Sequence, residues 1–190
     1  MHWQNDFMAV AGWTLRSLDL RYQLLYAEQV QLILETAGID RAPEQTVIFG
    51  IFEAAVASHY RDGSDVMYEA KYPTISISKI NPKRADLAFK ADGVGQKWNY
   101  IEVKKYTLTG AGKSGIDNDI SKLKTIPRKC GRYIFTYRIR VTSGKSKRLG
   151  DLLTANFKDQ LTLVAENEFD THTKSGKRGV CEYALCRIKV

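Results

Sequence analysis

Cysteine and histidine are scarce, with three of each in 190 residues. Cys130, Cys181 and Cys186 form no C-x-x-C pair and are odd in number, so no disulfide framework is expected and a reduced, cytoplasmic setting fits best. His2, His59 and His172 are scattered singly, which removes the clustered ligands that a structural zinc needs. Long apolar runs are missing as well. The longest, residues 47–57, is broken by Glu53 and falls well short of the roughly 20 residues that cross a bilayer, so no membrane partner is expected. The N-terminus carries no basic stretch followed by an apolar one, the mark of a secretory leader. With 14 Gly and 4 Pro, fibrous and low-complexity architectures are excluded.

What remains is an ordinary globular composition, 44% hydrophobic and 26% charged. We expect one domain over residues 1–190, built of an N-terminal helical segment (1–40), a core (44–141) and a basic C-terminal helix with strands (142–190). The net charge of +8 hides an asymmetry: residues 1–95 carry 9 Lys and Arg against 12 Asp and Glu, residues 96–190 carry 20 against 9. A positive field of that size on one half suits a polyanion, most often nucleic acid.

Between residues 18 and 36, Leu20, Leu24, Leu25, Val30, Ile33 and Leu34 recur at helical spacing, with Gly38 as a stop. A second helix is expected from Pro43 and Glu44 through Ile48, Ile51 and Ala55 to about His59. Glu53 borders its apolar stripe, where an exposed carboxylate is as good a reading as a site residue. The period then falls to two and predicts strands at 74–78, 85–89 and 98–106, the last two joined by a turn at 91–97. A glycine-rich loop at 110–115 leads into a third helix capped by Ser114 or Asp117. Beyond it we expect a strand at 132–141, a short helix at 150–157, and strands at 161–166 and 180–190. Tyr133, Phe135 and Tyr137 alternate as core residues of a half-buried strand.

The chemistry concentrates on Asp86, Glu102 and Lys104. Glu102 and Lys104, two apart on one strand, share a face, and the turn brings Asp86 alongside. Adjacent carboxylates repel unless a cation joins them, and carboxylate oxygens with water are the ligands that Mg²⁺ prefers, with Mn²⁺ a substitute. Such a cation lowers the pKa of a nearby ammonium or bound water, which lets Lys104 move a proton or align a water. The set suits metal-assisted phosphodiester hydrolysis. An E-x-K strand also occurs as a solvated, ion-paired face, but here the upstream Asp, the flanking helices and the basic second half agree with a site.

In this order the residues resemble the PD-(D/E)xK nuclease superfamily, with Asp86, Glu102 and Lys104 at the motif positions and Ala85 where the name-giving proline would stand. The resemblance spans about residues 44–141. It implies an α/β, restriction-endonuclease-like fold: a central mixed β-sheet whose antiparallel meander carries the site, flanked by helices. It further implies a Mg²⁺-dependent endonuclease acting on DNA, of restriction or phage-defence type. Asp86, Glu102 and the Val103 backbone carbonyl would bind the metal, Lys104 would handle the water, and Glu53 would add an acid from the preceding helix. Asp119 or Lys122, on the following helix, occupies a region where that family often has polar residues. A double-strand cutter of this size is expected to act as a homodimer, one site for each strand. The alternative is a nucleic-acid-binding subunit that keeps the fold without its chemistry.

Residues 107–114 come close to a phosphate-binding P-loop, with Thr107 in place of the first glycine. The strand before them carries Glu102, Lys104 and Lys105 where a nucleotide-binding fold has an apolar run, so nucleotide binding is the weaker reading. Lys113 in this segment, Arg138 and Arg140 on one strand face, Lys145, Lys147 and Arg148 in one loop, and Lys174, Lys177 and Arg178 in another are the expected phosphate contacts. Solvated loop tips are the plain alternative for the two clusters.

Overall fold

The computed structural model describes residues 3–29, 39–58, 65–71, 84–90, 97–107, 110–142, 146–172 and 177–189. In chain order the elements are α1 (Trp3–Gln29), α2 (Glu44–Ser58), β1 (Val66–Lys71), β2 (Arg84–Lys90), β3 (Trp98–Lys105), α3 (Gly110–Lys124), β4 (Gly131–Val141), α4 (Leu149–Asn156), β5 (Leu161–His172) and β6 (Arg178–Ile188). A 3₁₀ turn, Ile39–Arg41, precedes α2. The six strands form one sheet in the order β1-β2-β3-β4-β6-β5. Neighbours are antiparallel except β3 and β4. A parallel pair cannot be closed by a tight turn, and α3 makes the crossover. The chain is therefore α/β with a mixed sheet, and β1, β2 and β3 form an antiparallel meander in which β2 and β3 stand where they were expected.

Helices cover both faces. On one, Phe7, Leu15, Val47, Ile48 and Ile51 of α1 and α2 pack on Phe89, Ile101, Val103, Tyr133, Phe135 and Tyr137. Phe7 meets Phe89 and Phe135 edge-on, with centroids 5.1 and 5.4 Å apart. Each such ring pair adds about 0.5–1.5 kcal/mol beyond area burial. On the other face Ile116, Ile120 and Leu123 of α3 and Leu149 and Leu153 of α4 cover Tyr100, Ile134, Ala184 and Cys186. The three cysteines are unpaired. Among the described residues no helix is long and apolar enough to cross a membrane.

Several boundaries differ from expectation. α1 starts at Trp3 rather than Leu18, and its buried stripe is Trp3, Phe7, Ala11, Leu15 and Leu18, whereas Leu20 and Leu24 are 61% and 65% exposed. Residues 110–115 form the first turns of α3 rather than a loop, so neither Ser114 nor Asp117 caps it. β1 is an addition to the expected strands; the strand expected at 74–78, and all but the last residue of the turn at 91–97, lie outside the described residues. β5 runs on to His172 and β6 begins at Arg178.

Two buried contacts set element positions. Asp19 accepts hydrogen bonds from the Ile39 N–H and Gln23 Nε2, both 2.8 Å, and from the Thr171 hydroxyl, tying α1 to the 3₁₀ turn and β5. β4 starts on glycine because a Cβ at Gly131 would collide with the Asn99 side chain. That amide donates to the Phe89 and Lys97 carbonyls at 3.3 and 3.2 Å.

Candidate active site

The β2–β3 ladder runs from Lys90↔Trp98 to Leu87↔Ile101. Beyond it, Asp86 Oδ2 accepts the Val103 N–H at 2.7 Å, so a side chain takes over where backbone pairing stops. The N–H and C=O of a strand residue point to the same edge, which turns the Val103 carbonyl toward Asp86 as well. Glu102, 3% exposed, and Lys104 lie on either side of Val103 on the α3 face of β3. The expected triplet is thus gathered at one strand end.

Three further residues complete the cluster. Glu44, the first residue of α2, accepts from Lys104 Nζ at 2.9 Å and from the Lys105 N–H at 3.0 Å. α3 lies over the Lys104 stem, close enough that a Cβ at Gly115 would sit 3.6 Å from Cε. One turn on, the Asp119 carboxylate, 4% exposed, is 3.7 Å from Lys104 Nζ and 2.7 Å from Lys122 Nζ. Lys105 pairs separately with Asp40 at 3.0 Å. Four carboxylates, Glu44, Asp86, Glu102 and Asp119, therefore face two ammonium groups. In the sequence, Asp119 and Lys122 are legible only as polar positions on the right helix, and Glu44 only as an ordinary acid of a first helical turn.

The charges act on one another. Burial raises the Asp86 pKa, the Val103 N–H offsets part of this, Glu44 and Asp119 push it up further, and Lys104 pulls it down, leaving it above the usual value. For Lys104, burial disfavours the cation. The hydrogen bond with Glu44 and the charges of Asp119, Glu44 and Asp86 outweigh that and hold its pKa above the ordinary lysine value. Lys122 follows the same pattern: burial lowers it, while Asp119 by hydrogen bond, then the charges of Glu102, Asp119 and Asp86, raise it.

The remaining expected residues lie elsewhere. Glu53 is nine residues beyond Glu44, about 13 Å along α2 and half a turn round it. It lines a groove between α1 and α2 with Trp13 and Arg21, so Glu44 and not Glu53 is the helix acid at this cluster. Arg138 and Arg140 are engaged within the sheet. Both bond Glu182, at 2.6 and 2.9 Å, and Arg138 also donates to the Lys147 carbonyl. Lys147 is exposed, and exposed Arg148 and Arg178 stand 3.7 and 4.0 Å from Glu166 and Asp170. Lys177 is also exposed. Lys145, Lys174 and the side chain of Lys113 lie outside the described residues. The would-be P-loop Gly110–Lys113 is helical and so does not form a phosphate-wrapping loop.

The donor set fits a divalent cation. Its acids exceed its ammonium groups by two charges, and the buried Asp119 Oδ2 accepts no hydrogen bond. Oxygen-only ligands of this kind suit Mg²⁺ or Mn²⁺. Among the described residues no three acidic, histidine or cysteine side chains converge into a ready-made cage; Lys104 stands between Glu44 and Asp119. Compared with known proteins, the chain matches no family model, no curated protein and no solved structure.

Proposed function

We propose that the chain is a Mg²⁺-dependent endonuclease of PD-(D/E)xK type that hydrolyses DNA phosphodiester bonds. The observation that carries this reading is the 2.7 Å bond from the Val103 N–H to Asp86, which sets the first carboxylate against the residue between Glu102 and Lys104. Asp86, Glu102 and the Val103 carbonyl would hold the cation, with Glu44 and Asp119 beside them. Bound there, a divalent ion supplies Lewis acidity and a water of lowered pKa. Lys104, whose acidic neighbours hold its pKa above the ordinary lysine value against the effect of burial, orients the attacking water or a phosphate oxygen by donating hydrogen bonds. Asp119 and Glu44 keep its ammonium in place. The described residues carry one such site, so cutting both strands of a duplex would call for a homodimer. The unpaired cysteines suit the reducing cytoplasm.

The test is a digest of plasmid and of duplex, single-stranded and branched oligonucleotides in Mg²⁺, Mn²⁺ or EDTA, with Asp86→Ala and Lys104→Ala as controls. Metal-dependent cutting that both substitutions abolish is the expected result. Binding without cutting under every condition would sink the nuclease reading and leave the nucleic-acid-binding subunit.

A further inference from the structure

We propose that the end of the sheet where β3 and β4 begin and β6 ends is a phosphate-binding site separate from the carboxylate cluster, and that it takes a backbone phosphate of nucleic acid. The first half stands alone; the second rests on the function proposed above.

Five cations are carried at this end, Arg132 on the α3 face of the sheet and Arg187 on the α1 face. Lys97 precedes β3, Arg128 and Lys129 sit in the turn between α3 and β4, Arg132 is the second residue of β4, and Arg187 is near the end of β6. The registers Tyr100↔Arg132 and Tyr133↔Arg187 bring the three strand ends together. Among the described residues none of the five makes an ion pair. In contrast, Arg138, Arg140, Arg148 and Arg178, the arginines expected on DNA, each face a carboxylate.

Arg132 is the informative member. It is 6% exposed and no acceptor among the described residues meets its guanidinium. Burial, then the charges of Arg128 and Arg187, pull its pKa below the ordinary arginine value. The neighbouring Cys130 thiol is raised by burial but pulled back by Lys129, Arg132 and Lys97, which places Lys97 in the same field. The stem of Arg132 is buried while its guanidinium reaches the surface beside like charges, a setting that favours an anion, and the planar donors of a guanidinium match phosphate oxygens. Five cations spread over three strand ends and a turn exceed what one free phosphate needs and suit a polyanion. Lys97 lies five residues from Glu102, about 17 Å of strand. A duplex spans that length in about five base pairs.

The test compares the wild-type chain with an Arg128→Ala/Lys129→Ala/Arg187→Ala variant, leaving buried Arg132 in place so that the fold is kept. Thermal melts are recorded in inorganic phosphate and in chloride at equal ionic strength. Duplex binding is titrated in EDTA over a salt series. Phosphate should raise the wild-type Tm and not the variant's, and the slope of log affinity against log salt should shrink by about 0.9 for each duplex phosphate that the variant no longer neutralises. A phosphate-specific Tm rise with an unchanged slope would assign the site to a free phosphate and overturn its nucleic-acid half. Equal responses of both proteins in both arms would overturn the site altogether. A wild-type chain that binds no DNA would defeat the proposed function and the nucleic-acid half together, while the melts alone would still decide whether phosphate binds here.

Discussion

Glu44 grips β3 at two successive residues: one carboxylate oxygen accepts the Lys104 ammonium at 2.9 Å and the other accepts the Lys105 N–H at 3.0 Å. The start of α2 thereby fixes the lysine of the E-x-K run from outside its own strand. Glu44→Gln keeps the shape but loses one acceptor and the charge. We expect cleavage to fall about 10- to 100-fold, the usual cost of losing a partner that orients a site group, with little change in Tm. Glu53→Gln, on the opposite side of the same helix, should leave cleavage unchanged. Single-turnover rates of the two variants side by side check this, and equal losses would remove Glu44 from the site.

Asp86 gives a stability prediction with a definite sign. Its pKa is raised in the folded chain, so over the window above 3.8 the native state binds more protons than the unfolded one. Stability then falls as pH rises through that window. Asp86→Asn retains an acceptor for the Val103 N–H and removes the buried charge. In EDTA at pH 7 it should melt higher than wild type, and the gain should vanish as pH drops below about 4. Added Mg²⁺ should raise the wild-type Tm more than the variant's. Melts from pH 3.5 to 7 provide the measurement; an Asp86→Asn protein less stable than wild type at pH 7 contradicts it.

Glu182 neutralises two arginines inside the sheet. Glu182→Ala strands both charges, Arg138 being 3% exposed, and should cost about 3–5 kcal/mol, as removing one partner of a buried ion pair does. Urea unfolding at neutral pH measures it. A loss under about 1 kcal/mol, the range of exposed pairs, would mean that water reaches the arginines.

Gly115 tests how closely α3 lies over the site. An added Cβ meets the Lys104 stem at ordinary contact distance, so Gly115→Ala should fit and gain about 0.5–1 kcal/mol of helix stability. Gly115→Val extends further and should displace Lys104, lowering cleavage while leaving DNA affinity intact. Identical rates for the two variants would show that the lysine has room to move aside.

The elements that sequence periodicity locates well are those whose residue types alternate, even where helices bury both faces of the strand. β2, β3 and β4 alternate, so Asp86 can be set opposite Leu87 and Phe89, and Glu102 and Lys104 on one face. α1 misleads because apolar residues lie on two sides of it: Leu20 and Leu24 continue a helical repeat yet face outward, while Trp3, Phe7, Ala11 and Leu15 make the core stripe. Glu44 and Asp119 are beyond local pattern, since their meeting with Lys104 spans 60 and 15 positions and depends on how α2 and α3 cross the strand end. The arginines of β4 mislead for the same reason: their partner, Glu182, is 44 residues from Arg138. Charge composition points to a basic surface without saying which cations find acids at home.

β5 ends the strand order among the described residues, and its outward positions carry Glu166, Glu168 and Asp170. A second copy laying the same strand against this one in antiparallel register would bring acid close to acid along the ladder, and charged side chains on an edge blunt such pairing. Pairing β3 with β4 in parallel must close the long connection through α3, a slow kind of contact to form, and an unguarded edge invites aggregation meanwhile. The acidic rim thus serves the folding chain as much as the folded one, by making a continuous sheet between two copies unfavourable.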